Sequence, residues 1–203
     1  MTLFTLADTL GIITFAYAGL LVGTEKKLDL LGLVILAGLT AMGGGILRDV
    51  MAGRIPYSLV DPLPAATVLG TIFVALLFRL QRFVSAENMR VFIISDAVGL
   101  SAFSISGAIV GIQAGLSGFG IIVLGFVTAV GGGIIRDVLI NRVPLLLRRD
   151  FYGTVAILVS AGVWALEVAG MRNELSLTAL FALGVAVRLT AYFKGWKLPS
   201  FGV

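Results

Sequence analysis

Seven stretches of apolar residues follow one another along the chain, separated by short polar segments. They fall near 3–22, 30–52, 64–80, 91–111, 116–140, 151–169 and 175–193. A helix needs about 20 apolar residues to cross about 30 Å of hydrocarbon, and most of the stretches approach that length. The pattern therefore predicts an all-α membrane protein, a single transmembrane domain of seven helices spanning 1–203.

A motif of seventeen residues occurs twice within this pattern. It begins at Thr40 as TAMGGGILRDVMAGRIP and returns at Thr128 as TAVGGGIIRDVLINRVP. Eleven of the seventeen positions are identical at a constant offset of 88, and matched residues continue upstream as far as Asp8 and Asp96. The chain therefore contains an internal duplication. The first repeat covers about 3–80, the second about 91–169, and the seventh helix, about 175–193, stands outside both.

The number of helices in a repeat determines how the two copies are oriented. Three is odd, so the second copy must enter the membrane from the side opposite to the first. The sequence thus predicts inverted repeats, an architecture in which a substrate or permeation site lies near the membrane midplane, where the repeats meet.

Lysine and arginine are distributed unevenly between the two sides of this arrangement. Only Arg54 and Arg172 fall on one side, and ten basic residues fall on the other. Basic loops favour the cytoplasmic side, so we expect the N-terminus outside and the C-terminus in the cytoplasm. The ten are Lys26, Lys27, Arg79, Arg82, Arg90, Arg142, Arg148, Arg149, Lys194 and Lys197.

Composition supports the membrane assignment and excludes most enzyme chemistry. The chain is 59% hydrophobic and 13% charged, whereas soluble proteins average about 25% charged residues. It has no histidine, no cysteine, no phosphate-binding Gly-Lys-Ser/Thr loop and no metal-ligand spacing. We expect a non-enzyme without cofactor or resident metal. The net charge of +4 is explained by basic loops on one side, so no nucleic-acid partner is expected.

The glycine triplet of each motif is a candidate permeation element. The triplets fall near the middle of the second and fifth helices, and each glycine costs a helix interior about 1 kcal/mol relative to alanine. We expect both helices to be kinked there, with carbonyls freed by a break attracting cations. The alternative is that the glycines only allow close helix packing. The predicted pore residues are Thr40, Gly43, Gly44, Gly45, Thr128, Gly131, Gly132 and Gly133.

Six ionisable residues lie within the predicted membrane segments, where charges are costly and face cavities or each other. Inverted topology brings Asp8 and Arg48 to one depth on the outer side. It brings Asp96 and Arg136 together on the inner side. We expect two charge layers, and cross-helix pairs rather than pairs between sequence neighbours, which point about 100° apart on a helix. The alternative is that these charges only snorkel or lock helices together. The six are Asp8, Arg48, Asp49, Asp96, Arg136 and Asp137.

Other polar residues in the apolar segments call for less specific explanations. Arg188 lies about one turn from the inner end of the last helix, where snorkelling accounts for it. Ser101, Ser104 and Ser106 make the fourth helix more polar, but hydroxyls in helices commonly bond the carbonyl four residues earlier.

The doubled Gly-Gly-Gly-Ile-x-Arg-Asp-Val motif, in two inverted three-helix repeats with a seventh helix, resembles the prokaryotic members of the trimeric intracellular cation (TRIC) channels. The resemblance covers almost the whole chain. It implies a homotrimer in membrane lipid, with one pore per protomer bounded by the kinked second and fifth helices. It also implies a potassium current through pores bent at the glycine triplets. The animal members carry a lysine-containing motif in the second helix that this chain lacks, so the resemblance implies a location in a prokaryotic plasma membrane and not in an internal organelle.

Three functions are compatible with these features. The first is a cation channel passing potassium, without sharp selection against sodium because the Thr-Val-Gly-Tyr-Gly filter is absent. The second is an alternating-access carrier of a small neutral solute such as glycine, since some members of the superfamily are labelled glycine transporters. The third is a membrane scaffold without transport.

Overall fold

The structure, a computed structural model, describes residues 3–80, 89–148 and 151–196, and all regular structure within them is helical. Arg82, Arg149 and Lys197 of the basic residues counted above lie outside the described residues. The helices in chain order are α1 (Leu3–Glu25), α2 (Leu30–Met51), α3 (Tyr57–Val60), α4 (Leu63–Leu77), α5 (Met89–Gln113), α6 (Gly118–Leu139), α7 (Leu145–Arg148), α8 (Tyr152–Val168) and α9 (Glu174–Phe193).

The seven long helices confirm the all-α prediction, each within a few residues of its apolar stretch. Five of them, α1, α2, α5, α6 and α9, are long and apolar enough to cross a membrane. Helices α4 and α8 are equally apolar but shorter, with 15 and 17 residues. The two four-residue helices were not predicted, because a single turn carries no hydrophobic period that distinguishes it from a loop.

The duplication is visible in the way the helices begin and end. Asp29 caps the start of α2 by accepting a hydrogen bond from the Gly32 backbone N–H, at 2.7 Å. Ser117, 88 residues later, caps α6 in the same way, accepting from the Gly120 N–H. Each side chain satisfies one of the unpaired donors in the first turn of its helix.

The two repeats pack through reciprocal contacts. Helix α1 packs against α2 and α5, while α6 packs against α2 and α5. Between α1 and α5, the rings of Phe15 and Phe103 meet edge to face with centroids 5.1 Å apart. Phe103 lies over Gly11 and Phe15 lies over Gly99, so that each ring fills the space left by the other repeat's glycine. An approximate two-fold axis therefore passes between α1 and α5.

Helix α9 breaks this symmetry because it covers only the second repeat. It packs against α5 and α8. Its Gly184 approaches Ser101 and Val159 so closely that a Cβ would lie 2.9 Å from the Ser101 hydroxyl. The equivalent groove of the first repeat, between α1 and α4, is a mostly apolar cavity of about 490 Å³, lined in part by Ile13 and Thr71. Only the second repeat thus receives side chains from a seventh helix.

Helices α2 and α6 run through their glycine triplets without interruption. The expected helix break is therefore wrong, and no carbonyls are freed by one at these two sites. The physical reason is that the backbones of α2 and α6 pack directly against each other at the triplets. A bend within a continuous helix stays a prediction.

Candidate functional site

The centre of the molecule is the crossing of α2 and α6 at their glycine triplets. A Cβ on Gly44 would lie well inside contact distance of the Thr128 carbonyl oxygen, and one on Gly132 would meet the Thr40 carbonyl oxygen in the same way. The backbones of the two helices therefore touch. Only glycine permits this approach, so close packing, the alternative use of the triplets, accounts for their middle residues.

The outer members of each triplet face different neighbours. Gly43 lies against Ile135, and Gly131 lies against Leu47, so that each repeat packs a side chain onto the other repeat's triplet. Gly45 faces its own repeat's arginine, since a Cβ on Gly45 would lie 3.5 Å from the Arg48 Nη2 atom. Each triplet thus combines a helix crossing, a packing site and an opening towards buried charge.

Thr40 and Thr128 are fully buried beside the crossing. Their hydroxyls each donate a 2.6 Å hydrogen bond to the carbonyl four residues earlier, that of Leu36 and of Leu124. The hydroxyls are therefore already satisfied within their own helices. The part of each threonine that faces the opposite triplet is its backbone carbonyl, and any role at a pore is a role of that oxygen.

We call Asp8, Arg48 and Asp49 the first charge cluster. Arg48 is 1% exposed, and its Nη1 atom donates to Asp8 Oδ1 at 2.5 Å and lies 2.6 Å from the hydroxyl of Ser106. The Ser106 hydroxyl donates to the same carboxylate oxygen at 2.8 Å. Helices α1, α2 and α5 are therefore joined by one buried polar network.

Asp49 is bound by groups on three sides. It accepts from Arg48 Nε at 2.8 Å and from Arg54 Nη2 at 2.7 Å, while its second oxygen accepts from the Tyr57 backbone N–H at 2.7 Å. The expectation that Arg48 would not pair with its sequence neighbour is wrong. The long guanidinium stem reaches sideways to a carboxylate that is itself held at the start of α3.

A crevice leads from the surface to this cluster. It is lined by residues of α1, α2, α3 and α4 with Phe103, includes Asp8, Gly45 and Arg48, and holds about 10 Å³. That is roughly the space needed for one water molecule. The crevice therefore brings solvent close to Gly45 but is too narrow for a hydrated cation.

The second charge cluster consists of Asp96, Arg136 and Asp137, all at most 5% exposed. Arg136 Nε donates to Asp137 Oδ1 at 2.8 Å, and Asp137 Oδ2 accepts from the Leu145 backbone N–H at 2.8 Å. These contacts repeat those of Asp49. The contact between Arg136 Nη1 and Asp96 Oδ1 is longer, at 3.5 Å. Both cross-helix pairs are present as expected, but the second is looser.

One substitution and one side chain that points elsewhere distinguish the second cluster from the first. Ala18 occupies the position equivalent to Ser106, so no hydroxyl bridges Asp96 and Arg136. Arg142, equivalent to Arg54, turns away from the cluster and donates to Glu25 at 2.5 Å. Hydrogen bonding to Glu25 raises the pKa of Arg142. Among the described residues, Asp96 Oδ2 and Arg136 Nη2 have no hydrogen-bond partner.

Tyr152 and Arg188 occupy the space beside the second cluster. The Tyr152 hydroxyl lies 3.3 Å from Asp96 Oδ1, and the Arg188 guanidinium carbon lies 4.8 Å from the centre of the Tyr152 ring. Arg188 is 1% exposed. The expectation that it snorkels to the surface is wrong, because α9 packs over α5 and α8 and directs this side chain into the bundle.

Several residues at the clusters were not predicted as part of a site. Phe4 lies 5.1 Å from the Arg48 guanidinium carbon, and Phe92, its equivalent, lies 4.9 Å from that of Arg136. An arginine over an aromatic face is stabilised by the ring quadrupole. The signal available in the sequence was the pairing itself, since Phe4 and Phe92 are identical residues at the repeat offset of 88.

The sequence also matches known proteins. A family model described as "Glycine transporter" matches residues 5–79 and 93–168. The UPF0126 membrane protein YvgT of Bacillus subtilis (strain 168) is 33% identical over 195 residues, covering 96% of this chain and 95% of that protein. The UPF0126 inner membrane protein YadS of Escherichia coli (strain K12) is 31% identical, with coverage of 97% and 95%. These relatives are membrane proteins that match almost end to end.

Solved structures with the same fold are channels. A TRIC trimeric intracellular cation channel orthologue from Rhodobacter sphaeroides superimposes with a TM-score of 0.88 and 34% identity, covering 97% of this chain and 100% of that chain. A prokaryotic TRIC channel crystallised in 0.5 M KCl gives a TM-score of 0.85 and 31% identity, with coverage of 96% and 98%. The similarity therefore includes all seven long helices.

Proposed function

Because the chain belongs to the family described as glycine transporter, together with the TRIC cation channels, we propose that this integral membrane protein is itself a cation channel. In the finer form of the proposal it is a homotrimer with one pore in each protomer, and potassium is the principal permeating ion. The observation that carries the proposal is the pair of buried charge clusters placed on either side of the α2–α6 crossing.

Buried ionisable groups favour transport over a scaffold role. Asp8, Asp96, Arg48 and Arg136 are at most 4% exposed within apolar helices. Such groups are costly in a membrane and usually mark a pathway for ions or substrate. A scaffold role does not explain the crevice that reaches Gly45 and the buried side chains of Asp8 and Arg48.

The proposed path runs from one cluster to the other along the triplets. It enters at the crevice beside Gly45, passes the crossing of Gly44 and Gly132, and leaves beside Gly133, which faces Tyr152 and Arg136. The carbonyl oxygens of Thr40 and Thr128 lie at the crossing and would replace part of a cation's hydration shell. Since the backbones touch there, conduction requires α2 and α6 to separate.

The runner-up is an alternating-access carrier of a small neutral solute such as glycine. The description of the matching family model names such a carrier, and inverted repeats serve carriers as readily as channels. The Arg48 and Asp8 side chains would suit a zwitterion, but they are bonded to each other at 2.5 Å.

Purified protein in planar bilayers tests the proposal. Unitary currents carried by potassium are expected, together with no concentrative uptake of radiolabelled glycine into liposomes. Glycine uptake without unitary currents would establish the carrier instead. The absence of both signals from correctly folded, assembled protein would leave the scaffold.

A further inference from the structure

The two ends of the proposed path are not equivalent, and the difference is a buried arginine. At the first cluster, Asp8 Oδ1 receives Arg48 and Ser106 at 2.5 and 2.8 Å. At the second, Asp96 receives Arg136 at 3.5 Å and Tyr152 at 3.3 Å, and its Oδ2 atom has no partner among the described residues. Direct contacts therefore neutralise the negative charge of Asp96 less than that of Asp8.

Arg188 supplies a positive charge to this end, and no described residue forms an ion pair with it. Its Nε and Nη2 atoms are buried and have no hydrogen-bond partner within the described part of the chain. The guanidinium lies over the Tyr152 ring, whose hydroxyl contacts Asp96. Arginine stays protonated in proteins, so a full charge is held close to Asp96 but not directly on it.

No described residue of the first repeat does the same. The first cluster takes its second cation from Arg54, whose side chain is 37% exposed and is bonded to Asp49. Arg188 comes from α9, which has no counterpart in the duplication and packs against α5 and α8 of the second repeat. The charge of Arg188 therefore has no equivalent at the first cluster and makes the two ends electrostatically different.

We propose that Arg188 controls conductance at one end of the pore. Its charge lowers the occupancy of permeating cations at Asp96, so that less current enters from the second-cluster end than from the first. The inference rests on the proposed channel function. A fixed charge in a low-dielectric site acts strongly on an ion nearby because little water screens it. With Arg188 present, its positive charge repels a cation that approaches the Asp96 carboxylate.

The test compares single-channel currents of the full-length protein with those of Arg188→Gln, Arg188→Lys and Lys194→Gln. Lys194 is the matched control, since it lies at the same end of α9 but is exposed. In about 0.1 M KCl, where the Debye length is about 10 Å, its loss should change little. Arg188→Lys keeps a basic group, but a buried lysine loses its proton more readily than arginine, so its current should lie between those of the parent and of Arg188→Gln.

Arg188→Gln should raise the potassium current entering from the second-cluster end by roughly 2- to 10-fold. The reason is that removing a positive charge makes the local electrostatic potential more favourable for an entering cation. The current at the opposite voltage should rise less. Random insertion into the bilayer only inverts the sign of this asymmetry, so the ratio can be measured without fixing the orientation. The effect should persist at about 1 M KCl, where the screening length for exposed charges is about 3 Å, because a buried charge is screened much less by salt.

An assembled Arg188→Gln channel with unchanged current and unchanged asymmetry would overturn the inference while leaving the channel function intact. If that variant does not assemble, Asp96→Asn gives the opposite test. It should reduce current from the same end, and an unchanged current would overturn the inference equally. A parent protein that is silent in bilayers overturns the proposed function, and the inference falls with it.

Discussion

The carbonyl oxygen of Thr128 occupies the place where a side chain on Gly44 would begin, and the carbonyl of Thr40 does the same for Gly132. A Cβ at either glycine would lie well below 3.0 Å from a backbone atom, a separation that real Cβ atoms essentially never show. Because the obstacle is backbone and not the end of a flexible side chain, the helices themselves would have to move.

Gly44→Ala and Gly132→Ala should therefore destabilise the folded protein. Overpacking of a well-packed interior typically costs about 1–3 kcal/mol, which outweighs the gain of about 1 kcal/mol from replacing glycine by alanine in a helix. The measurement is thermal unfolding of purified protein in detergent, followed by circular dichroism.

Gly38 provides the control within the same helix. A Cβ there would make only ordinary contact, 3.7 Å from the Met42 methyl group. Gly38→Ala should leave the melting temperature unchanged or raise it. If Gly44→Ala melts like Gly38→Ala, the close crossing of α2 and α6 is not a feature of the protein in solution.

The two charge clusters should differ in how strongly their cross-helix pairs are coupled. Removing one member of a buried pair costs about 3–5 kcal/mol because the other charge is left unpaired. Asp8 and Arg48 are 2.5 Å apart and share Ser106, whereas Asp96 and Arg136 are 3.5 Å apart. A double-mutant cycle with Asp8→Asn and Arg48→Gln should give the larger coupling free energy.

The second cycle uses Asp96→Asn and Arg136→Gln, with the same unfolding assay for both. Cycles isolate the interaction between two residues from the other effects of each substitution. Purely additive effects at the first cluster would rule out direct coupling between Asp8 and Arg48. Equal coupling at both clusters would show that the missing hydroxyl at Ala18 has no energetic consequence.

The fold was largely predictable because the duplication and the apolar periods are both written in the sequence. Matching Asp8 to Asp96 and Arg48 to Arg136 revealed the duplication, and the three helices of each repeat predicted that the copies are inverted. Each aspartate then lies at the same depth as its arginine. The short helices were missed since a single turn has no period. The pairing of Arg48 with Asp49 was missed because helix geometry places Cβ atoms but does not limit the reach of a long side chain.

The candidate site was predicted less completely. A glycine triplet in a helix is compatible with a break or with a close crossing, and only the position of the opposite helix distinguishes the two. Arg188 could not be assigned to the site, because the seventh helix has no partner in the repeat that would reveal its rotation. The role of both clusters in permeation stays a prediction.

The two phenylalanines that meet at the pseudo-two-fold axis should contribute equally to the stability of the fold. Phe15 and Phe103 are at most 1% exposed, and each fills the space over a glycine of the other repeat. Truncating a buried phenylalanine to alanine typically costs about 3–5 kcal/mol. Phe15→Ala and Phe103→Ala should therefore lower the free energy of unfolding by similar amounts.

Phe119 is the control for this comparison, since it is 79% exposed. Phe119→Ala should change the unfolding free energy in detergent by much less than either core substitution. A large difference between Phe15→Ala and Phe103→Ala would mean that one repeat, not the axis between them, organises the core.

The inverted topology can be tested at two sites related by the duplication. Lys26 follows α1 and Ala114 follows α5, both are exposed, and they are 88 residues apart. Inverted repeats place equivalent positions on opposite sides of the membrane, and the excess of basic residues predicts that Lys26 lies in the cytoplasm. The chain has no cysteine of its own, so Lys26→Cys and Ala114→Cys each provide a single thiol.

In intact cells an impermeant maleimide should label Ala114→Cys at once and Lys26→Cys only after the membrane is permeabilised. Labelling of both from the same side would contradict the inverted arrangement, and labelling of Lys26→Cys alone would reverse the predicted orientation while keeping the inversion.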